Sequence, residues 1–155
     1  MKKAFGAYLT PEMAKALSEG ACSSQLPKRD VREIDFVFVS TVAPDAATYS
    51  ERAGVVVEAA SQCEGMVHHI VPFVVVGFGI VFPSPPDARQ RLVEKLAALL
   101  PNLVSAVHGK VTASIGSYGS ESRMDFGFWW PQATEAMRQL SELSPGEMRE
   151  FRTIQ

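Results

Sequence analysis

Three histidines are the first side chains in this sequence that could do chemistry. His68 and His69 are adjacent, and His108 follows in a later segment. Adjacent residues of a β-strand point to opposite faces of the sheet, so only one of the pair could join His108 around a metal ion. Cys22 and Cys63 stand far apart and add no ligands at metal-binding spacing. The pattern does not favour a zinc site.

A nucleophile and a phosphate-binding loop are the other chemical candidates. Ser40 has no acid or base partner nearby in the sequence, which argues against a hydrolase. Gly116-Ser117-Tyr118-Gly119-Ser120 is rich in glycine, but no lysine follows at the spacing of a phosphate-binding loop, and it does not lead directly into a helix. We predict that this segment forms a turn.

The composition favours a single domain with a substantial core. The chain has 155 residues and is 46 % hydrophobic, which fits one domain. Its 15 basic residues are scattered among 17 acidic ones, so no basic stripe for nucleic acid is expected. Two isolated cysteines suit a reducing compartment, and we predict a cytoplasmic domain.

No membrane contact or secretion signal is expected from the apolar segments. The apolar residues after Lys2 and Lys3 are interrupted at Thr10, too early for a signal peptide. The run from Ile70 to Phe82 is shorter than the roughly 20 residues that span a bilayer, and it contains proline and glycine.

The order of predicted elements indicates an α+β fold. Thr10-Pro11-Glu12 begins a short helix, and Ser18 to Asp30 is a solvated connector. The remaining pattern alternates strands and helices, with Gly65 ending the first long helix and Pro131 opening the last. The predicted ranges are strands 33–42, 66–71, 73–82, 103–115 and 123–130 and helices 46–64, 87–100 and 132–143. This order is that of a ferredoxin-like βαββαβ core, a mostly antiparallel sheet with helices packed on it.

Four segments, taken in order, resemble the class III adenylate/guanylate (nucleotidyl) cyclase catalytic homology domain. Phe5 to Glu12 is similar to F-x-x-Y-x-S/T-P-E, and Glu33 to Ser40 to a first strand that reads E-V-T-V-L-F-x-D. Gly65 to Gly79 is similar to the G-x-V-x-K-x-x-G-D hairpin and its F-G exit. Gly116 to Phe126 resembles G-N-x-G-S-x-x-R-x-D-Y, and the helix after it carries Ala136 and Arg138 where the family has V-N-x-A-x-R.

The resemblance implies two parts. Residues 1–30 would be the N-terminal helix and connector that link an upstream sensor to the cyclase, and residues 31–155 the cyclase homology domain. We expect this domain to be truncated at its C-terminus, because the chain ends at Gln155 before the late strands that carry a phosphate-binding lysine in the family.

The resemblance also implies a site whose metal ligands are missing. Active cyclases close the 3′ hydroxyl onto the α-phosphate with two metal ions held by two aspartates. Ser40 replaces the first aspartate and Phe73 the second. Neither residue offers the carboxylate that a hard divalent cation prefers, so no metal site is predicted.

Most of the substrate-binding positions are changed as well. His69 and Gly127 replace the residues that read the base, Thr134 replaces the asparagine that positions the ribose, and Trp130 stands where it would fill the nucleotide pocket. Arg138 is the one retained catalytic position, although an arginine on a helix surface is more often simply solvated. For Trp129 and Trp130, packing at a strand end is favoured over an exposed interface.

These changes predict a catalytically degenerate cyclase-like domain in intracellular signal transduction. It would act by dimerisation, as a homodimer or with another cyclase-type domain, or by binding a partner or ligand, and it could be the cytoplasmic part of a membrane-bound sensor. One alternative is an active half of a heterodimer that converts ATP or GTP to a cyclic nucleotide. A second is a non-catalytic nucleotide or small-molecule sensor. No cofactor is expected, and Mg²⁺ or Mn²⁺ would be needed only for activity through a partner.

Overall fold

A computed structural model describes residues 29–70, 72–80, 83–120 and 123–153. The helix predicted from Thr10 and nearly all of the connector lie outside these residues. The described elements, in chain order, are β1 Arg29–Thr41, α1 Ala46–Gln62, β2 Met66–His69, β3 Val74–Phe78, α2 Ala88–Leu99, β4 Val104–Ser120, β5 Arg123–Trp129, α3 Ala133–Ser141 and β6 Met148–Glu150.

The strands form one sheet with the order β2-β3-β1-β4-β5, and β6 pairs with β4. The first four strands are antiparallel, and α1 and α2 make the two crossover connections. This arrangement confirms the predicted ferredoxin-like βαββαβ core. β6 pairs in parallel with the start of β4, so the complete sheet is mixed.

Helices cover both faces of the sheet, because β1 carries apolar side chains on both sides. Val37 and Val39 pack with α1 and α2 on one face, here named the helix-pair face. Phe36 and Phe38 pack with residues of α3 on the other, named the aromatic face. Successive side chains of a strand alternate between the faces, so an unbroken apolar run such as 36–39 fits a central strand buried on both sides.

The ends of α1 follow local backbone chemistry. Asp45 caps its first turn by accepting a hydrogen bond from the Thr48 amide at 2.7 Å. At its other end the left-handed residue is Glu64, with φ of 65°, and Gly65 is needed for a different reason. A Cβ at Gly65 would lie 2.6 Å from Cγ1 of Val76, so glycine lets the chain pass close against β3.

Several predicted boundaries were wrong. The connector was expected to continue to Asp30, but β1 begins at Arg29, and a sixth strand, unpredicted, follows α3. Gly116–Ser120 is not a turn: it continues β4 and pairs with β5 as far as Ser120 opposite Arg123. Hydrogen bonding to a neighbouring strand here outweighs the low strand propensity of glycine and serine. Pro131 does not open the last helix, which has Gln132 at its N-cap.

Candidate functional site

Ser40 lies near the end of β1, at the same end of the sheet as the start of β3. Its side chain is half-buried and belongs to the aromatic face, since it follows Phe36 and Phe38 at a spacing of two. Phe73 packs its ring onto Phe38, with the centroids 5.4 Å apart. Asp45, the first carboxylate after Ser40 in the chain, is engaged as the cap of α1. A hydroxyl beside an aromatic ring does not fit a divalent cation, which prefers several carboxylate or carbonyl oxygens.

Trp130 fills the centre of the aromatic face. Only 4 % of it is exposed, and its ring centroid lies 4.6 Å from that of Phe36 and 5.6 Å from that of Phe38. The ring of Phe128 stacks parallel to that of Trp130, with the centroids 6.0 Å apart. We call the rings that pack here the aromatic cluster, which consists of Phe36, Phe38, Phe73, Phe128, Trp130 and Phe151.

The predicted packing of the two tryptophans is correct for one and wrong for the other. Trp130 is in the core, whereas 59 % of Trp129 is exposed. The two are consecutive at the end of β5, so their side chains emerge on opposite faces of the sheet.

Arg138 pairs with two carboxylates: Glu135, which lies in the same helix, and Glu142, the residue that follows the helix. Its Nε donates to Glu135 at 2.8 Å, and its terminal nitrogens contact Glu135 and Glu142. The hydrogen bond and charge of Glu135 raise the pKa of Arg138 further, and the hydrogen bond from Arg138 lowers the pKa of Glu135. A phosphate that bound the guanidinium would have to compete with the charge of these two carboxylates.

The remaining substitutions do not lie together as one polar pocket. Thr134 is exposed on the first turn of α3, and His69 is exposed at the end of edge strand β2. Gly127 lies on β5 opposite Gly116. The histidine beside Gly127 is His68: a Cβ at Gly127 would lie 4.0 Å from its Nδ1. His68 also packs edge-on against Phe128, with ring centroids 4.9 Å apart.

Solved structures of cyclase catalytic domains are similar to this fold. A bacterial light-regulated adenylyl cyclase has a TM-score of 0.63 and 11 % identity over 90 % of this chain and 46 % of its own. The adenylyl cyclase CyaB from P. aeruginosa has a TM-score of 0.58 and 14 % identity over 79 % and 78 %. A non-canonical dimeric guanylyl cyclase domain from Blastocladiella emersonii has a TM-score of 0.52 and 13 % identity over 79 % and 80 %.

The chain has the nucleotidyl cyclase catalytic fold. The resemblance seen in the sequence motifs is thereby confirmed at the level of the fold. The chain spans about half the length of the light-regulated cyclase. No family model and no curated protein matches the sequence.

Within this cyclase fold, an ionic cluster that the sequence did not predict lies on the helix-pair face. Arg89, in the first turn of α2, approaches Asp35 Oδ1 at 3.6 Å and His108 Nδ1 at 3.3 Å. Its Nη2 lies 3.9 Å from Glu150 of β6, and Lys110 lies 3.5 Å from Asp35. We call these five residues the ionic cluster. The only signal in the sequence was Asp35, a charged residue within the apolar run of β1.

Burial governs the chemistry of the ionic cluster. Asp35 and His108 are 7 % and 6 % exposed, and Asp35 Oδ1 accepts no hydrogen bond despite its two cationic neighbours. Desolvation and the charge of Arg89 lower the pKa of His108, while Glu150 and Asp35 oppose this effect. His108 is therefore neutral at pH 7, and its Nδ1 can accept a hydrogen bond from Arg89.

The histidines considered as metal ligands are divided between the two faces. His108 faces α2, whereas His68 contacts Phe128 on the aromatic face. In the described part of the chain no group of three or more potential ligands from His, Cys, Asp and Glu could hold a metal ion. Cys63 is a buried free thiol, and desolvation raises its pKa. Among the described helices, none combines the length and hydropathy needed to span a membrane.

Proposed function

We propose that this chain is a catalytically degenerate cyclase-like domain that acts in signal transduction by association with a partner. The observation that carries the proposal is the filling of the aromatic face at the Ser40 end of the sheet. Phe73 packs on Phe38 there, and Trp130 is buried against the same ring. Rings in these positions supply no metal ligand and no polar group to a triphosphate.

The state of Arg138 supports the same proposal. In the family that the chain resembles, this arginine stabilises negative charge in the transition state. Here Glu135 and Glu142 already neutralise it. Catalytic electrostatics depend on preorganised groups aimed at the developing charge, and an arginine paired with two carboxylates is not preorganised for phosphate. No cofactor is needed for the proposed role.

Exposed apolar residues on the sheet support a role in association. Val31 on β1 and Trp129 on β5 are each opposite Ser114 of β4, so the three side chains form one row across the sheet. Val31 is 67 % exposed and Trp129 is 59 % exposed. We propose that this row, named the Trp129 row, contributes to a contact with a second copy or another cyclase-type domain. The guanylyl cyclase domain with this fold is dimeric, which supports a pairing of this kind.

A regulated cyclase with this fold supports the signalling part of the proposal. The adenylyl cyclase with the TM-score of 0.63 is light-regulated, so the fold can be coupled to a sensor. By analogy, the segment before β1 would link this domain to an upstream sensor, with the domain in the cytoplasm.

A mixing assay tests the proposal against the active-heterodimer alternative. The purified chain is incubated with ATP or GTP and Mn²⁺, alone and with an intact homologous cyclase domain, and cyclic nucleotide is quantified. We expect no product from the chain alone and no increase above the partner's own rate in the mixture.

An increase that Arg138→Ala abolishes would overturn the proposal in favour of a catalytic half. Arg149→Ala is the matched control, because Arg149 is also partly exposed and pairs with a nearby glutamate. A nucleotide-dependent rise in melting temperature without product would instead support the sensor alternative, since a ligand at 100 times its Kd stabilises by about 2.7 kcal/mol.

A further inference from the structure

The ionic cluster joins three strands and a helix through one side chain. Arg89 of α2 approaches β1, β4 and β6 together, through Asp35, His108 and Glu150. About 20 % of its side chain is exposed, so the guanidinium is largely removed from water. Its interactions are therefore screened less than those of a surface ion pair.

His108 also connects the two faces of the sheet. The side chain of His108 faces Arg89, while its backbone carbonyl accepts a hydrogen bond from the Phe151 amide at 2.8 Å. The ring of Phe151 packs edge-on against Phe36 and Trp130, with centroids 5.9 Å and 6.2 Å away. β6 and the residue after it thus close one side of the aromatic cluster.

We propose that His108 and Arg89 form an acid-sensitive latch that holds β6 and Phe151 against β4. In the neutral form His108 accepts a hydrogen bond from Arg89. Once protonated, both ring nitrogens carry hydrogen, so no acceptor remains and two cations face each other. Either Arg89 or the histidine must then move, and the contacts with Glu150 and β6 loosen.

The other charged groups of the ionic cluster influence the protonation of His108. Burial and the charge of Arg89 disfavour the protonated histidine and lower the pKa of His108 below its ordinary value of 6.5, while Glu150 and Asp35 oppose this effect. Lys110 pairs with Asp35 at 3.5 Å. The unfolded chain therefore takes up the proton more readily than the folded one. The latch is fully closed above pH 6.5 and weakens as the pH falls from there through the lowered pKa.

Hydrogen exchange on the full chain tests the latch. Amide protection of residues 148–151 is measured from pH 7.5 to 5.0, corrected for the intrinsic pH dependence of exchange. We expect protection to fall, by up to about tenfold for each unit by which the pKa of His108 is lowered. His108→Gln keeps an acceptor for Arg89 but does not titrate in this range, so its protection should be independent of pH. His69→Gln removes an exposed histidine and should behave as the wild type.

Two results would overturn the latch. One is equal pH dependence in the wild type and His108→Gln, and the other is constant protection in the wild type. Proton NMR of the unmodified chain provides a measurement that does not depend on a variant folding. The His108 ring should titrate below its ordinary value of 6.5, and protection at β6 should fall between pH 6.5 and that midpoint. A loss of protection within this range without titration of the His108 ring would assign the opening to other groups and exclude the latch.

Discussion

Trp129 and Trp130 are adjacent in the chain, but only Trp130 is buried, so we expect their removal to affect stability differently. Trp130 contacts the rings of Phe36 and Phe38 and is almost fully buried, so its removal would leave a large void between α3 and the sheet. Its Nε1 has no hydrogen-bond partner, so the tryptophan contributes through packing and not through its polar atom.

We predict that Trp130→Ala lowers the free energy of unfolding by about 3–5 kcal/mol, because truncating a large buried aromatic removes apolar contacts and leaves a cavity. Trp129→Ala is the matched control at the adjacent residue. Its side chain is mostly exposed, and its effect should stay within about 0.5 kcal/mol. Urea unfolding followed by circular dichroism measures both. Equal losses for the two variants would mean that Trp130 does not support the core.

The contacts of the ionic cluster could not be predicted from its individual residues in the sequence. Ser40 and Trp130 could be singled out because they sit within recognisable motifs. Arg89 and His108 belong to no motif and lie in different elements. Only the register of β1 and β4, together with the position of α2, brings them next to Asp35. Single charges carry no information about such a contact until the strand pairing is known.

At the scale of elements, the core was predictable and the strand ends were not. Hydrophobic periodicity and length identified all three long helices and the five strands of the main sheet order. The Gly116–Ser120 segment was mistaken for a turn because its composition is that of a turn, whereas its conformation follows from pairing with β5. β6 was missed because its three residues contain one apolar side chain, and its place depends on the free edge of β4.

Two glycines in different elements should respond in opposite ways to substitution by alanine. Gly77 lies in β3, and a Cβ there would be 2.2 Å from Cδ1 of Ile80 and 2.8 Å from Cε1 of Phe128. Because Ile80 is buried, it has little room to move, and Gly77→Ala should destabilise by about 1–3 kcal/mol. Gly54 is exposed in α1, with nothing within 4 Å of the added atom. Gly54→Ala should therefore stabilise by up to about 1 kcal/mol.

Thermal and urea unfolding of the two alanine variants measures this contrast. The comparison isolates packing from backbone entropy, since the substitution is the same in both. A neutral Gly77→Ala would show that the side chains of Ile80 and Phe128 can move away from the added Cβ at no cost, and so that their close approach to β3 is not required for stability.

At the scale of the whole molecule, the two faces of the sheet have different exposure. The aromatic face is closed by α3 and Phe151. The helix-pair face is covered by α1 and α2 over β1 residues 37 and 39, but the Trp129 row lies further along the strands, where Val31 and Trp129 are exposed. Exposed tryptophan is enriched at protein–protein interfaces, so the exposure of Trp129 on the sheet supports the proposed role in association.

We predict that Trp129→Ala weakens self-association of the chain, or its association with a cyclase-type partner. Interface tryptophans commonly contribute about 2 kcal/mol or more, which corresponds to a roughly thirtyfold rise in Kd. Leu99→Ala is the control, since Leu99 is 51 % exposed on α2, away from the row, and should leave Kd unchanged. Sedimentation equilibrium measures both variants, and the urea unfolding experiment described above checks that Trp129→Ala remains folded. If the two variants change Kd equally, the Trp129 row is not the contact. If the wild type neither self-associates nor binds a cyclase-type domain at any concentration reached, pairing of cyclase-type domains is not the role of this domain.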